Sequence, residues 1–438
     1  MQNSLVTPKA TGKIGAYLSL PKLSSLLVGL IIFFSATQFG LHFWPLSTLV
    51  YGIRIDYLSP ATYFLDILII FYLSLSSRLP STLSRLHSIF PILLVNLIFS
   101  QNPASTLSWS LHLVLYLLFI SSLPLSRIRN TLYKILPIAI LFQVTLALTQ
   151  VTIGHSVGGL MYYLGERTVA VGAPTIALAM FMDHVVLRAY GTFGHPNVLA
   201  GWLVIALLIT IQLWRQRQSS VGLTLKDSSA ISVRKDPRRS DPMGTKTIWV
   251  PLILTTLGIF LTQSRAAALT LFVFIIPFYL LKSLKSRVIY FVLILASSFY
   301  LLSSGTLLRA FDLSSSERLT LQGVSLKAIQ AFPLFGTGAQ ASISTYPTVS
   351  PNTRLLQPDH NSLTLFLSWF GIFGLLAILY SLRFQFKNLR IYDFRFVLPL
   401  LPLLLLDHYL FTSPQGLFVL LLYPAVAVNY SHAQKNRE

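Results

Sequence analysis

Hydrophobic positions in this chain fall in long runs, without the alternation of an exposed sheet. Runs of roughly 15 to 22 apolar residues, broken by Pro, Gly and charged positions, recur from end to end, and the longer ones suffice to cross a hydrocarbon core of about 30 Å. The pattern predicts about twelve spans on that criterion. They fall at 23–42, 57–76, 88–101, 107–125, 135–153, 195–214, 248–263, 266–281, 288–303, 361–381, 396–412 and 416–430. Three of these are short or interrupted: 88–101, 248–263 and 396–412. The expected fold is all-α, a polytopic integral membrane protein with a long external loop that carries an amphipathic helix.

Two connections between spans are long enough to build structure. The first, 154–194, is rich in small residues (Gly154, Gly158, Gly159, Gly165, Gly172, Ala173, Pro174). Its semi-apolar run at 174–187 is too short to cross a bilayer and predicts a re-entrant or interfacial helix. In the second, 304–360, Ser314 and Glu317 have capping-box spacing, Leu321, Val324, Ala328 and Phe332 follow at helical period, and Pro333 stops the run. A helix with one apolar face should lie along the outer membrane-water boundary, leaving a partly wet chamber beneath it. The chain then divides into N-terminal spans (1–153), central spans with a basic loop at 215–247 (154–303), an external loop (304–360) and C-terminal spans (361–438).

Composition sharpens this picture. Only 11% of residues are charged and 54% are hydrophobic, with a mean hydropathy of +0.68, against roughly 25% charged in a soluble domain. An ordinary soluble enzyme is excluded. The lack of cysteine removes disulfides, thiolate metal sites and cysteine nucleophiles. The net charge of +20 is sorted by side, so it does not point to nucleic acid. Lys9, Lys13 and Lys22 precede the first span, read as an uncleaved anchor, and place the N-terminus inside. Alternate connections then hold Arg78, Arg85, Arg127, Arg129, Lys134, Lys282, Lys285, Arg287, Arg383, Lys387, Arg390 and Arg395, which obeys the positive-inside rule and leaves both termini cytoplasmic. The 215–247 loop serves as a solvated topological determinant, with binding of anionic lipid heads as its alternative role. Eight basic residues lie outside against this bias: Arg54, Arg167, Arg188, Arg265, Arg309, Arg318, Lys327 and Arg354. Binding an anionic ligand is a reason to keep them there; for any one of them, snorkelling or loop packing is the alternative.

Chemistry on the outer face lacks cytosolic nucleotide donors, so a lipid-anchored phosphate or pyrophosphate is the natural activated substrate. No Walker loop or dinucleotide fingerprint occurs. The outer acidic residues Asp56, Glu166, Asp183, Asp312, Glu317 and Asp359 are scattered, so no metal or other cofactor is predicted. Leaving-group charge then falls to arginine, and Arg188 and Arg265 are placed best for it. His360, in Gln-Pro-Asp359-His360-Asn361, closes the long loop where a span begins. Its imidazole can take a hydroxyl proton at neutral pH, with Asp359 orienting it, or it can serve merely as a helix cap. His195 competes for the role, although His195-Pro-Asn197 reads better as a capped helix start. Asp407-His408-Tyr409 lies within a span, where ionisable groups imply either function or a polar clasp. Asp66 is a weaker case of the same kind.

In this order the residues resemble the O-antigen ligase and polymerase superfamily of bacterial membrane glycosyltransferases. The resemblance is carried by Arg188 to Gly201 with Gly-Thr-Phe-Gly-His-Pro-Asn, Leu261 to Ala268 with Thr-Gln-Ser-Arg, and Glu317 to Gly338 with Phe-Pro-Leu-Phe-Gly-Thr-Gly. Pro358 to Gly374, with Asp-His-Asn and Trp-Phe-Gly-Ile-Phe-Gly, and the terminal Asp407-His408-Tyr409 with Gln415-Gly416 also fit. It covers 188–430, and the first half only as a similar number of spans. The resemblance implies metal-free transfer of a glycan from undecaprenyl pyrophosphate to an acceptor hydroxyl on the outer face of the inner membrane. The acceptor would be a lipid, polysaccharide or protein. His360 matches the family's catalytic histidine, Arg188 and Arg265 match arginines that hold the pyrophosphate, and Arg318 matches a further arginine of the loop helix. His195, Asn197, Asp359, Asn361, Asp407 and His408 stand as supporting residues. Acceptor recognition is not located. The rivals are a repeat-unit polymerase of the same superfamily and a lipid-linked oligosaccharide flippase, which would show two similar halves with broken helices. A metal-dependent transferase would need an acidic cluster in the first external loop, where only Asp56 occurs.

Overall fold

The computed structural model describes residues 20–76, 86–174, 176–181, 184–228, 248–281, 283, 285–292, 306–351, 355–385 and 397–435. Its main helices are α1 (Leu20–Phe34), α2 (Phe64–Ser74), α3 (Ile89–Ile98), α4 (Pro103–Ser122), α5 (Leu125–Ile153) and α6 (Pro196–Ser228). They continue with α7 (Trp249–Thr262), α8 (Arg265–Leu269, running on as a π-helix over Thr270–Leu280), α9 (Thr306–Ala331), α10 (Ser362–Gln385), α11 (Leu401–Leu406) and α12 (Pro414–Lys435).

Among the described residues four segments are long and apolar enough to cross a membrane: Pro103–Ser122, Leu125–Ile153, Pro196–Gln218 and Ser362–Tyr380. Six shorter apolar helices accompany them. The difference from twelve full spans has local causes. The run at 57–76 begins with a 3₁₀ turn and a strand, so its helix starts only at Phe64. The run at 396–412 breaks at Asp407, whose backbone is extended (φ −156°, ψ 158°). The span at 288–303 lies outside the described residues beyond 292, as do 229–247 of the basic loop, Lys9, Lys13, Arg78, Arg85, Asp183, Lys282, Arg354, Lys387, Arg390 and Arg395.

Helix α6 is the central mast. From Leu199 to Ile211 its residues are buried on every face, and α5, α7 and α12 pack around it. A helix apolar all round belongs in such a position. The outer helices turn apolar side chains outward: Ile67 and Ile70 on α2, Ile98 on α3 and Ile253 on α7 are each more than half exposed. Such faces suit hydrocarbon.

The chain is mostly helical, with three small antiparallel ladders among the described residues where all-α was expected. β1 (Gly40–His42) pairs with β4 (Ala61–Tyr63), β2 (Leu49–Val50) with β3 (Ile53–Arg54), and β5 (Leu178–Phe181) with β6 (His184–Leu187). The β5–β6 hairpin replaces the interfacial helix expected at 174–187; the paired segment carries Val185 and Val186, which favour extended backbone. Helix α9 begins at Thr306, so Ser314 and Glu317 lie inside it and do not cap it. It ends at Ala331, ahead of Pro333 as expected. Its apolar stripe, Leu321 and Val324, is covered by Val50, Ile55, Leu58, Ile343 and Tyr346 in a small second core.

Helix α10 is interrupted at Gly371 (φ 62°, ψ −173°), a backbone conformation open essentially to glycine alone. The segment 333–338 lies along the break. Thr337 N and Gly338 N donate to the Ser368 and Trp369 carbonyls (2.8 and 3.0 Å), and Ile372 N and Phe373 N donate to the Pro333 and Leu334 carbonyls (2.9 and 3.1 Å). Asn96 of α3 bridges the joint, donating to Trp369 O (2.8 Å) and accepting from Ala339 N (2.9 Å). The approach is so close that a Cβ on Gly336 would stand 2.5 Å from the Trp369 carbonyl, and one on Gly371 would meet Leu334 O. The two glycine-rich motifs are therefore the halves of one backbone joint. Gly371→Ala should destabilise the purified protein by about 1–3 kcal/mol from backbone strain alone, read as a fall in thermal midpoint in detergent. Gly323→Ala, whose Cβ meets nothing within 4 Å, should leave the midpoint unchanged or raised; equal midpoints for the two variants would contradict this reading of the joint.

Candidate active site

The loop that carries Arg188 and His195 is held by two glutamines on α5. Gln143 and Gln150 are seven residues apart and so share a helix face; both are fully buried. Gln143 donates to Ala36 O (2.9 Å) and to Thr192 Oγ1 (2.8 Å) and accepts from Thr192 N (3.1 Å). Gln150 donates to Gly191 O (2.8 Å) and Glu166 Oε1 (2.7 Å) and accepts from Tyr190 N and Gly191 N. Gly191 has a positive φ of 57°, and a Cβ there would run into Gln143 Oε1. Glu166 closes the preceding loop by accepting from Val157 N (2.8 Å) and Gly158 N (2.7 Å). These polar groups in an apolar helix are worth their desolvation because their bonding capacity is largely used.

Arg188 is thereby set against the C-terminal end of α7. Its Nε donates to Thr262 O (2.8 Å) and one terminal nitrogen donates to Asn197 Oδ1 (2.7 Å). Because arginine only donates, Asn197 must turn its oxygen to Arg188, and its amide nitrogen then faces the other way. There it donates to Asp407 Oδ2 (2.7 Å). Asp407, 3% exposed, also accepts from His408 N at Oδ1 (3.0 Å), while its backbone carbonyl accepts from Ser362 Oγ (3.1 Å). The same Oδ1 faces His360 Nδ1 at 3.4 Å, off hydrogen-bond geometry, so that Nδ1 is buried without a hydrogen-bond partner among the described residues.

The neighbours complete the cluster. The His408 ring lies 5.0 Å from that of His360 and 5.5 Å from that of Tyr57, with its Nδ1 on Thr412 Oγ1 (2.7 Å). His195 Nδ1 accepts from Asn197 N (3.2 Å) at the start of α6, the capping role its sequence suggests. Arg318 of α9 donates to Leu406 O (3.0 Å), which ties α9 to the segment carrying Asp407. Burial pulls the Arg188 guanidinium below its ordinary value, Tyr190 and Asp407 pull it back up, and the charges of Arg265 and Arg318 push it down again. These two arginines are thus electrostatically coupled to Arg188. Arg265 itself is exposed, at the first position of α8 behind the N-cap Ser264.

One sequence expectation changes. Asp359 does not make the carboxylate contact to His360. Its Oδ1 accepts from Asn361 N (3.1 Å) and its Oδ2 from Thr364 Oγ1, while Asn361 Oδ1 caps α10 through Leu363 N (2.9 Å) and Thr364 N (3.4 Å). Local helix capping wins over the neighbouring ring, and the carboxylate that faces His360 is Asp407, 47 positions along the chain. Gln143 and Gln150 were missed; a polar pair seven apart inside an apolar run was the available signal.

His360, Asp407 and His408 offer ligand atoms within 4.8 Å of one another, a spacing a metal ion could use. Both Asp407 oxygens already accept N–H groups, and the arginines coupled to Arg188 add positive charge. The arrangement suits an anion beside a proton-accepting imidazole better than a divalent cation.

Residues 250–379 match the family model described as O-Antigen ligase. The match supports membership of the O-antigen ligase superfamily and an O-antigen ligase-like function at the level of that family. With the apolar helices, it also marks a membrane protein. No curated protein and no solved structure matches the chain. The matched segment contains Arg265, Arg318 and His360, whereas Arg188, Asn197 and Asp407 lie outside it.

Asn197→Ala removes the acceptor of Arg188 and a donor to Asp407 together. It should lower stability by about 1–3 kcal/mol for each buried group left unpaired, seen as a reduced thermal midpoint. A midpoint equal to that of the parent protein would show that the bridge bears no weight.

Proposed function

We propose that this chain is a metal-independent, inverting membrane glycosyltransferase that moves a glycan from undecaprenyl pyrophosphate to an acceptor hydroxyl on the outer face of the cytoplasmic membrane. The observation that carries the reading is the contact of His360 Nδ1 with the buried Asp407 carboxylate, 3.4 Å apart, inside a network that also holds Arg188 and Arg318. With Nδ1 turned to Asp407, Nε2 is the ring nitrogen left for substrate. The acceptor oxygen attacks the anomeric carbon while its proton passes to His360 Nε2. The bond from that carbon to the pyrophosphate oxygen breaks, with the electron pair leaving on that oxygen. Asp407 stabilises the imidazolium that forms, as the buried carboxylate does beside the histidine of an acyl-transfer triad.

Negative charge grows on the departing pyrophosphate, where fixed guanidinium groups stabilise the transition state most. Arg265 and Arg318 take this role together with the donors of Arg188 not spent on Thr262 and Asn197. The basic first turns of α5, with Arg127, Arg129 and Lys134, favour a cytoplasmic placement of that end, which argues for a site on the outer side. The acceptor is a lipid, polysaccharide or protein of the envelope.

His360→Ala should reduce transfer by about 10²–10⁴-fold, the range of a lost general base, in an assay with purified protein and lipid-linked donor. EDTA should leave the parent rate unchanged. Normal turnover by the variant, or loss of activity on chelation that added metal restores, would sink the assignment.

A further inference from the structure

A cavity of ≈ 140 Å³ adjoins the candidate centre, sharing His195 and His408 with it. Its walls come from the first external segment, the N-terminal half of α4, the loop ahead of α6 and the turn after Asp407. Of its lining residues only Gln340 falls within the segment that matches the family. Its chemistry differs from the arginine side. The charged pair here, Asp56 with Arg167 at 3.1 Å, is internally balanced and exposed. His42 Nδ1 meets Ser59 Oγ at 2.5 Å, and that hydroxyl donates to Asp56 O (3.2 Å). The imidazole and the hydroxyl, each able to donate or to accept, stand together on this wall. Burial lowers the His42 imidazole from its ordinary value, with Asp56 opposing and Arg167 adding to the shift.

One further lining residue holds an unspent polar atom: Gln38 Oε1, beside Gly194 of the same wall, is buried with no hydrogen-bond partner among the described residues. Trp109, Tyr57 and Tyr63 supply aromatic surface. Balanced charge disfavours a phosphate, and a buried polar atom awaiting a partner disfavours a hydrocarbon chain. Mixed donors and acceptors beside aromatic rings suit a ligand that is polar through hydroxyls and apolar through C–H faces.

We propose that this cavity is a glycan subsite, holding a sugar ring of the substrate beside His360 while the arginines hold its phosphates. The inference rests on the glycosyltransferase reading and gives that reading a place for the sugar.

The absence of cysteine from the chain permits a direct test, because any introduced thiol is unique. Gly194 lines the cavity with an ordinary backbone, and a Cβ there would stand 3.1 Å from Gln38 Oε1 and 3.3 Å from Arg167 Cζ, both of which are side-chain ends able to shift. Gly194→Cys and, as a second lining site that leaves the Asp56–Arg167 pair intact, Ser108→Cys report on the cavity; Glu317→Cys, exposed beside Arg318, reports on the arginine side. Labelling rates with a water-soluble thiol reagent are measured on the full chain in nanodiscs. The added probes are lipid-linked glycans extracted from the producing cells, the same lipid pyrophosphates stripped of sugar, and lipid-free envelope polysaccharide.

Because a ligand in a concave site buries most of its surface, saturating lipid-linked glycan should slow labelling at both cavity positions by about fivefold or more. The stripped lipid should slow only Glu317→Cys. Protection of the cavity by lipid-free polysaccharide alone supports the subsite and assigns it to acceptor sugar. Protection of Glu317→Cys by lipid-linked glycan, with the cavity thiols unprotected by any sugar-bearing probe, overturns the subsite and leaves the transferase reading standing. Protection at no position overturns both.

Discussion

A carboxylate taken out of water costs several kcal/mol unless donors surround it, and the candidate site is organised around meeting that cost at Asp407. Its two oxygens receive the Asn197 amide and the His408 backbone N–H, and Asn197 is turned into position by Arg188. The constraint runs in both directions. Asn197 can donate to Asp407 only because Arg188 takes its oxygen, and Arg188 is anchored by the carbonyl of Thr262 at the end of α7. Four elements distant in sequence are thus fixed relative to one another by the needs of one buried charge, and His360 is the ring left facing it.

The same economy of buried polar groups recurs through the bundle. Gln143 and Gln150 hold the Arg188 loop, and Asn96 locks the break in α10. Asp66 accepts from Tyr63 N and the Tyr116 hydroxyl (2.7 and 3.0 Å) and faces His112 Nε2 at 3.1 Å. Among apolar helices, packing alone gives little positional specificity, and side-chain hydrogen bonds supply register. The rigid mast α6 and the interrupted α10 then bring their N-terminal ends, with Asn197 and His360, to one place.

Much of this was legible from residue order. The long apolar runs announced helices because backbone polar groups in lipid must be paired internally, and the histidine and arginine motifs stood out against an apolar background. What escaped was set by contacts between distant segments. Asp359 precedes His360 in the chain, yet the N-terminus of α10 claims its oxygens, and the carboxylate that faces the ring is that of Asp407. Ser314 and Glu317 carry capping-box spacing, but the helix continues upstream to Thr306, so spacing alone misjudged its start. The glycine motifs at 333–338 and 369–374 looked like separate signatures and are joined by backbone bonds that no local pattern encodes.

The central claim is that Asp407 acts through His360. Measuring transfer rates for Asp407→Asn, His360→Ala and the double variant tests it most directly, since residues that work as a unit are strongly non-additive. The double variant should be no slower than His360→Ala alone. Both variants carrying Asp407→Asn should melt lower, because one of the two N–H groups that the carboxylate accepts is left facing an amide, so rates are compared at a temperature where all three remain folded. Losses that multiply, so that removing Asp407 slows a protein already lacking the imidazole, would show that the two groups act independently.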